Sequence, residues 1–500
     1  MKTWVGELYL ELHRGTLTTH GLVKRQNRKL ENKLRNVEML WSCISMDKYP
    51  SELLDELWKK VLLNQFHDII PGSSINLVYQ TTHKEYLEVH AGCDDLIEKA
   101  SHLLFQKEED SFVLANTLSY RWKGVVELPL NFTGFSILDE VGNRVSVQKT
   151  NHGYAIEVNL DPLSFNSFKK NDPAKFDLEL PSELILENDL IKYEFNKDGQ
   201  IVSAFDKEIN QEVMADEGNI FSLYEDIPNN WDAWDIDFFY RDALIEVASA
   251  KDINLISSGE ILKQLRVNLL IGNSKIQQII SLEKDSKRLD FKTKVNWNES
   301  HKMLRVHFPV NVLSDHATFD IQYGYVKRNT HQNTSWDKAK FEVVGHKYAD
   351  LSDHDYGVAL LNDCKYGYMV LDNILDLNLL RSPSNPDPEA DRGEHNFTYS
   401  LLPHKNDLIR SSVIEESSCL NQRPLLFEGV RSQNEIPVYL NGRGLELTVL
   451  KKAEKEDQWI IRIVETHGRN SNGILKLSGL ITECDLMEWN NIGDTQDVKG

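Results

Sequence analysis

The apolar periodicity of this chain changes once, and that change divides what it can fold into. Up to about residue 105, apolar side chains recur every three or four positions: Leu30, Leu34, Val37 and Trp41, then Leu54, Leu57, Trp58, Val61 and Leu62, then Val78, Tyr86, Val89, Cys93 and Leu96. Such spacing puts each set on one helix face, so three amphipathic helices with short connections are predicted to pack as an antiparallel bundle. Beyond the charged run Lys107-Glu108-Glu109-Asp110 the pattern becomes short alternating stretches, such as Gly124-Val125-Val126-Glu127-Leu128, punctuated by Asn, Gly and Pro. Alternation sends successive side chains to opposite faces of a strand, and strands at this spacing favour sandwiches. The predicted fold class is multidomain α+β, an antiparallel helical bundle followed by β-sandwich domains. Its predicted divisions are a helical middle domain over residues 1–108, a small β domain over 109–180, a large β-sandwich domain over 181–410 and a C-terminal β domain over 411–500 that reads as incomplete. Turn-rich residues at 171–173 and 180–182 mark the boundary inside the β region. Ile191, Tyr193 and Phe195, the turn Asn196-Lys197-Asp198-Gly199 and the returning Ile201–Phe205 predict a hairpin.

Composition narrows the function classes. With 500 residues, 41% of them hydrophobic, the chain can bury several cores. Its formal charge of −21 repels nucleic acid and anionic membrane surfaces, so a neutral ligand such as a sugar fits better. The five cysteines are scattered and never form a Cys-x-x-Cys pair, which argues against a disulfide framework and a thiolate zinc site and for a reducing cytoplasm. No apolar run approaches the roughly 20 residues of a membrane span.

One stretch concentrates chemistry. In Val61–Ser74 an apolar helix end delivers Asn64, His67 and Asp68 and then meets Pro71-Gly72. If the helix continued to Asp68, the amide, imidazole and carboxylate would share one face able to grip a metal or a sugar. Ser73 or Ser74 is predicted to cap the next helix, and Ser51 the one before. A core histidine and a turn carboxylate would equally produce this pair. Trp231, Asp232, Trp234 and Asp235, beside Pro228-Asn229-Asn230, suit stacking on a sugar face and bonding its hydroxyls, although a Trp pair also suits a core. His331, Trp336 and Asp337 are a weaker version of the same pattern. His395 and His404 lack paired metal spacing and read as structural. Arg14 and Lys24-Arg25 either hold carboxylates or face water, with water expected for the lysine.

Several of these residues sit in longer motifs. Trp4-Val5-Gly6-Glu7-Leu8-Tyr9-Leu10-Glu11-Leu12-His13-Arg14-Gly15-Thr16, the basic Lys24-Arg25-Gln26-Asn27-Arg28 and Asn64-Gln65-Phe66-His67-Asp68 together resemble the glycoside hydrolase family 38 α-mannosidases, in their cytosolic and bacterial branch. Asn116–Ser119, Trp231–Asp235, Arg328–Asp337 and Leu380–Pro383 extend the resemblance over nearly the whole chain. It implies a zinc-dependent retaining exo-glycosidase that releases terminal α-mannose from oligosaccharides. It also implies that the sequence starts after the family's N-terminal α/β catalytic domain, which would carry the nucleophile and the other ligands of a single zinc ion. On this resemblance His67 is a metal ligand, with Asn64 or a backbone carbonyl orienting its ring, and Asp68 contacts mannose hydroxyls. The acid/base does not carry over; Glu7 and Glu11 are the nearby carboxylates, and a surface or capping role for both stays open. Family habit leaves a homo-oligomer open as well. The alternative is a catalytically inactive fragment that acts only as a carbohydrate-contacting or assembly module, with apolar area left exposed.

Overall fold

The helical periodicity yields α1 (Gly21–Ser42), α2 (Ser51–Asn64) and α3 (Asn76–Leu104). The structure, a computed structural model, describes the chain except residues 1–2, 11, 152, 177–179, 181–182, 433–434 and 499–500. Glu11 and some of the predicted boundary at 180–182 therefore lie outside the described residues. Leu30, Leu34 and Val37 of α1, Leu54, Leu57 and Val61 of α2, and Tyr86, Val89, Cys93 and Leu96 of α3 are all buried in one core. Leu447 and Leu450, from the hairpin of Leu445–Lys452 with Trp459–Glu465, join that core, so the far end of the chain completes the helical layer.

The predicted serine caps do not form. α2 starts after Pro50 and α3 after Ile75, neither with a side-chain cap. Ser73 instead turns its hydroxyl back to Asp68 Oδ1 at 3.3 Å. The acceptor at the start of α1 comes from the β region, where the Asp391 carboxylate receives the backbone N–H of His20 at 2.5 Å and of Gly21 at 2.7 Å. A carboxylate there satisfies two orphan amides and meets the positive end of the helix dipole.

The large β region is built on two sheets. One runs in the order Ser249–Ser258, Leu262–Ile271, Ser274–Glu283, Leu289–Trp297, Gly393–Lys405, Tyr356–Asn362, Tyr348–Ser352, His316–Ile321, Gly324–Asn329. The other runs Leu244–Val247, Ile220–Glu225, Lys302–Pro309, Ile374–Arg381, Gly367–Leu371, Val343–Val344. Alternation decides which side chains enter the space between them: Phe291, Val295 and Trp297 are buried while Lys292, Lys294 and Asn296 are exposed. Phe291 and Tyr399 of the first sheet stack at 5.0 Å and share a core with Val306, Phe308 and Leu377 of the second. Each such fully buried side chain stabilises the fold by about 2 kcal/mol. The hairpin of Ile191–Phe195 with Ile201–Asp206 forms as predicted and adds Ile191, Tyr193 and Ile201 to the same core.

A smaller pair of sheets shares a separate core around Phe112, Phe132, Ile137, Ile156 and Phe168. Its five-stranded member begins with Leu425–Glu428, a strand from beyond residue 411 that pairs with Ser111–Asn116. The N-terminal segment is fixed to the large β region. Glu7 pairs with Arg328 at 2.6 Å, the Tyr9 hydroxyl donates to the Glu342 carbonyl at 2.6 Å, and Arg14 pairs with Asp235 at 3.2 Å. That path delivers the chain to the start of α1.

Candidate active-site corner

α2 ends at Asn64, before the residues that would carry the chemistry. From Phe66 the chain folds into successive turns, closed by Ile69 N–H to Phe66 O at 2.8 Å and Gly72 N–H to Ile69 O at 3.0 Å. Pro71 has no N–H to continue a helix. Gly72 has φ +93, and a Cβ there would lie 2.5 Å from the Thr19 carbonyl oxygen, so glycine meets both the backbone conformation and the close approach. His67 and Asp68 consequently stand on a turn and share no helix face with Asn64. Their side chains are 77% and 47% exposed, with His67 Nε2 3.4 Å from Asp68 Oδ2. Asn64 is buried and donates to the Lys60 carbonyl at 2.8 Å and to Glu85 at 2.6 Å, so it does not orient the His67 ring.

The turn is seated against three other elements. Tyr79 of α3 donates its hydroxyl to the Asp68 carbonyl at 3.3 Å and receives the Ser74 N–H at 2.8 Å. His20, in the left-handed conformation at φ 54, stacks on Tyr79 with ring centroids 3.5 Å apart. Its Nε2 lies 3.2 Å from Asp387 Oδ2, and Asn76 donates to the other oxygen of Asp387 at 3.1 Å. Lys24 is buried, contrary to the expected solvation. Its ammonium donates to the carbonyls of Thr19 at 2.5 Å, Ile70 at 2.8 Å and Pro71 at 3.2 Å, and burial pushes its pKa down to about 7. His20, Asp387 and Asp391 were missed by sequence reasoning. The one signal for the latter two was the density of Pro, Ser and Asn in Ser382–Pro388, which marks an ordered loop.

The Trp231–Asp235 loop reaches the same corner through Arg381. That fully buried guanidinium pairs with Asp226 at 2.8 Å and donates to the carbonyls of Asp232, Ala233 and Asp235 and to Thr19 Oγ1. Asp235 is committed to Arg14. Asp232 Oδ2 receives the N–H groups of Ser384 at 2.8 Å and Asn385 at 3.1 Å and lies 3.3 Å from His301 Nε2. These two carboxylates thus hold the loop, while Trp231 is 59% exposed and Trp234 meets it edge-on at 6.1 Å.

The outlying candidates are placed as follows. Two hydrogen bonds from Arg328 hold the Glu7 carboxyl below its usual range. Asp337 closes a capping box with Thr334, and His331 lies 3.8 Å from it. Trp336 packs on Trp4 at 5.5 Å. His395 and His404 are buried, at 2.6 Å from the Asp391 carbonyl and 2.7 Å from Asp350. Among the described residues, no three His, Cys, Asp or Glu side chains converge to hold a metal ion.

Comparison with known proteins decides what this corner belongs to. Residues 186–389 match the family description "Glycosyl hydrolases family 38 C-terminal domain", residues 11–104 "Alpha mannosidase middle domain", and residues 444–499 "Glycosyl hydrolases family 38 C-terminal beta sandwich domain". The chain belongs to glycosyl hydrolase family 38. It is 35% identical to human alpha-mannosidase 2C1 over 97% of its own length and 48% of the relative's. It is 33% identical to alpha-mannosidase G of Dictyostelium discoideum, over 94% of this chain and 48% of that protein. The chain thus spans about half the length of the curated relatives it matches. The fold of a family 38 protein from Enterococcus faecalis superposes with a TM-score of 0.77 at 17% identity, covering 93% of this chain and 66% of that one. The His67 turn lies in the middle-domain match, and Arg381 and Asp387 lie in the C-terminal-domain match.

Proposed function

We propose that this chain supplies the helical and β portion of an α-mannosidase, a zinc-dependent retaining exo-glycosidase that releases terminal α-mannose from oligosaccharides in the cytoplasm. The observation that carries the proposal is the exposed His67–Asp68 pair on a tightly seated turn, in a chain of a family whose similar members are named alpha-mannosidases.

A zinc ligand of this kind needs an imidazole nitrogen facing open space, and His67 offers one donor of the four that a tetrahedral site takes. The remaining donors and the nucleophile are assigned to residues outside this chain. When bound, the metal would orient and polarise sugar hydroxyls. Asp68 would accept from hydroxyls of the mannose beside it, steadied by the Ser73 hydroxyl on one oxygen. The exposed face of Trp231 would stack on a sugar ring. Retention requires two carboxyl groups about 5 Å apart, one of them an acid with a raised pKa. Arg328 shifts Glu7 in the opposite direction and donates to both of its oxygens, so Glu7 is not assigned the acid role.

The alternative is a chain that only contacts carbohydrate or assembles with a catalytic partner; the lack of a metal-holding cluster among the described residues is common to both readings. Hydrolysis of 4-nitrophenyl α-mannoside separates the two, assayed on this chain and on the longest polypeptide its source encodes that contains it. The longer form is expected to release α-mannose first by NMR, to lose activity to a chelator and to regain it with zinc, while this chain alone stays silent. Zinc-independent release, or β-mannose as first product, would contradict the proposal.

A further inference from the structure

Lys24 makes an unusual set of contacts for a lysine. Its side chain lies inside the corner rather than on the surface, and its ammonium spends its donors on backbone carbonyls from two separate stretches, Thr19 just before α1 and Ile70-Pro71 in the turn after α2. A buried ammonium is costly unless its donors are satisfied. Here they are satisfied by the carbonyls that define where the turn sits. The Ile70 and Pro71 carbonyls lie beyond the end of α2 and lack helical partners, so this cation supplies what a following turn of helix would have supplied. Asp391 offsets the charge from the same side, with its carboxylate on the N–H groups of His20 and Gly21, and Lys365 and Arg381 are the other charged groups near it. Gly72, pressed against the Thr19 carbonyl, closes the same contact from the turn side.

We infer that Lys24 is a positioning residue that locks the His67–Asp68 turn onto the start of α1, fixing where that pair is presented relative to the Asp387–Asp391 segment of the large β region. Its value for catalysis rests on the functional assignment of His67 above. The positioning itself does not.

Hydrogen exchange followed by mass spectrometry on the longest polypeptide that contains this chain tests it, comparing peptides that cover 66–73 with peptides inside α1 and α3. In Lys24→Met, which keeps length and removes the charge, the turn amides are expected to exchange about tenfold faster or more, because bonds to a charged donor are lost. Amides within α1 and α3 should stay protected, and Lys24→Arg, which keeps a charged donor, should restore some of the turn's protection. Unchanged exchange at 66–73 in Lys24→Met would overturn the inference, as would equal loss of protection across α1, α3 and the turn in both variants. His67→Ala is the control for the functional assignment: it should leave turn exchange at the wild-type rate. If zinc binding by the longer polypeptide survives His67→Ala while Lys24→Met still frees the turn, the metal assignment fails and the positioning stands.

Discussion

Arg381 and Asp226 form an ion pair at 2.8 Å with side chains 0% and 1% exposed, and the same guanidinium holds the Trp231–Asp235 loop and Thr19 in place. Removing one partner of a buried pair leaves the other charged and unsolvated. Arg381→Leu is therefore expected to destabilise the fold by about 3 kcal/mol or more. The paired change Arg381→Leu with Asp226→Leu should recover some of that loss. Chemical denaturation of the wild type and the two variants checks this, and a double variant no more stable than the single would contradict it.

Gly15, in the His-Arg-Gly-Thr motif, is a consequence of the same guanidinium. A Cβ at position 15 would collide with Arg381, beside the Asp235 carbonyl. Gly15→Ala should destabilise the chain and raise exchange in the 231–235 loop as well as at the N-terminal segment. Exchange raised at the segment alone would show that the guanidinium can move aside.

Glu38 ties stability to pH. Burial raises its pKa from 4.5 to about 7, against the hydrogen bond that Trp58 Nε1 donates at 2.9 Å. Because the folded pKa lies above the unfolded one, the stability linked to its protonation is complete below pH 4.5 and is lost as pH rises through about 7. Glu38→Gln keeps an acceptor for Trp58 and should be more stable than wild type above pH 7, by about 2 kcal/mol, with the difference vanishing below pH 4.5. Thermal melts across pH 4 to 8 measure this. A difference independent of pH would mean that Glu38 does not titrate in this range.

Around the His67 turn, Leu62, Leu63, Phe66, Ile75 and Leu77 are each more than half exposed. An apolar surface of this kind drives association. The isolated chain is expected to self-associate, and Leu63→Gln with Phe66→Ser should lower its apparent mass in light scattering without altering its melting. A wild-type chain with the mass of a monomer would contradict this.

The fold was legible in the sequence where periodicity alone decides it. The three helices, the hairpin around Asn196–Gly199 and the alternation of Leu289–Trp297 depend on local spacing, and local spacing is what a sequence displays. The corner was legible only partly. His67 and Asp68 stood out because Pro71-Gly72 follows them, yet the helix ends earlier than their spacing suggested, at Asn64. The burial of Lys24, the capping of α1 by Asp391 and the grip of Arg381 on Thr19 depend on contacts between residues distant in the chain. No local pattern encodes such contacts. A lysine in a polar helix reads as solvated until the carbonyls that surround it are known.

Zinc content tests the central claim most directly. Elemental analysis of the longest polypeptide that contains this chain, before and after His67→Ala, should find about one zinc per chain in the first and a small fraction of that in the second, with the melting of the helical domain unchanged. Full zinc retention after His67→Ala would show that the exposed imidazole on the turn plays no role in holding the metal.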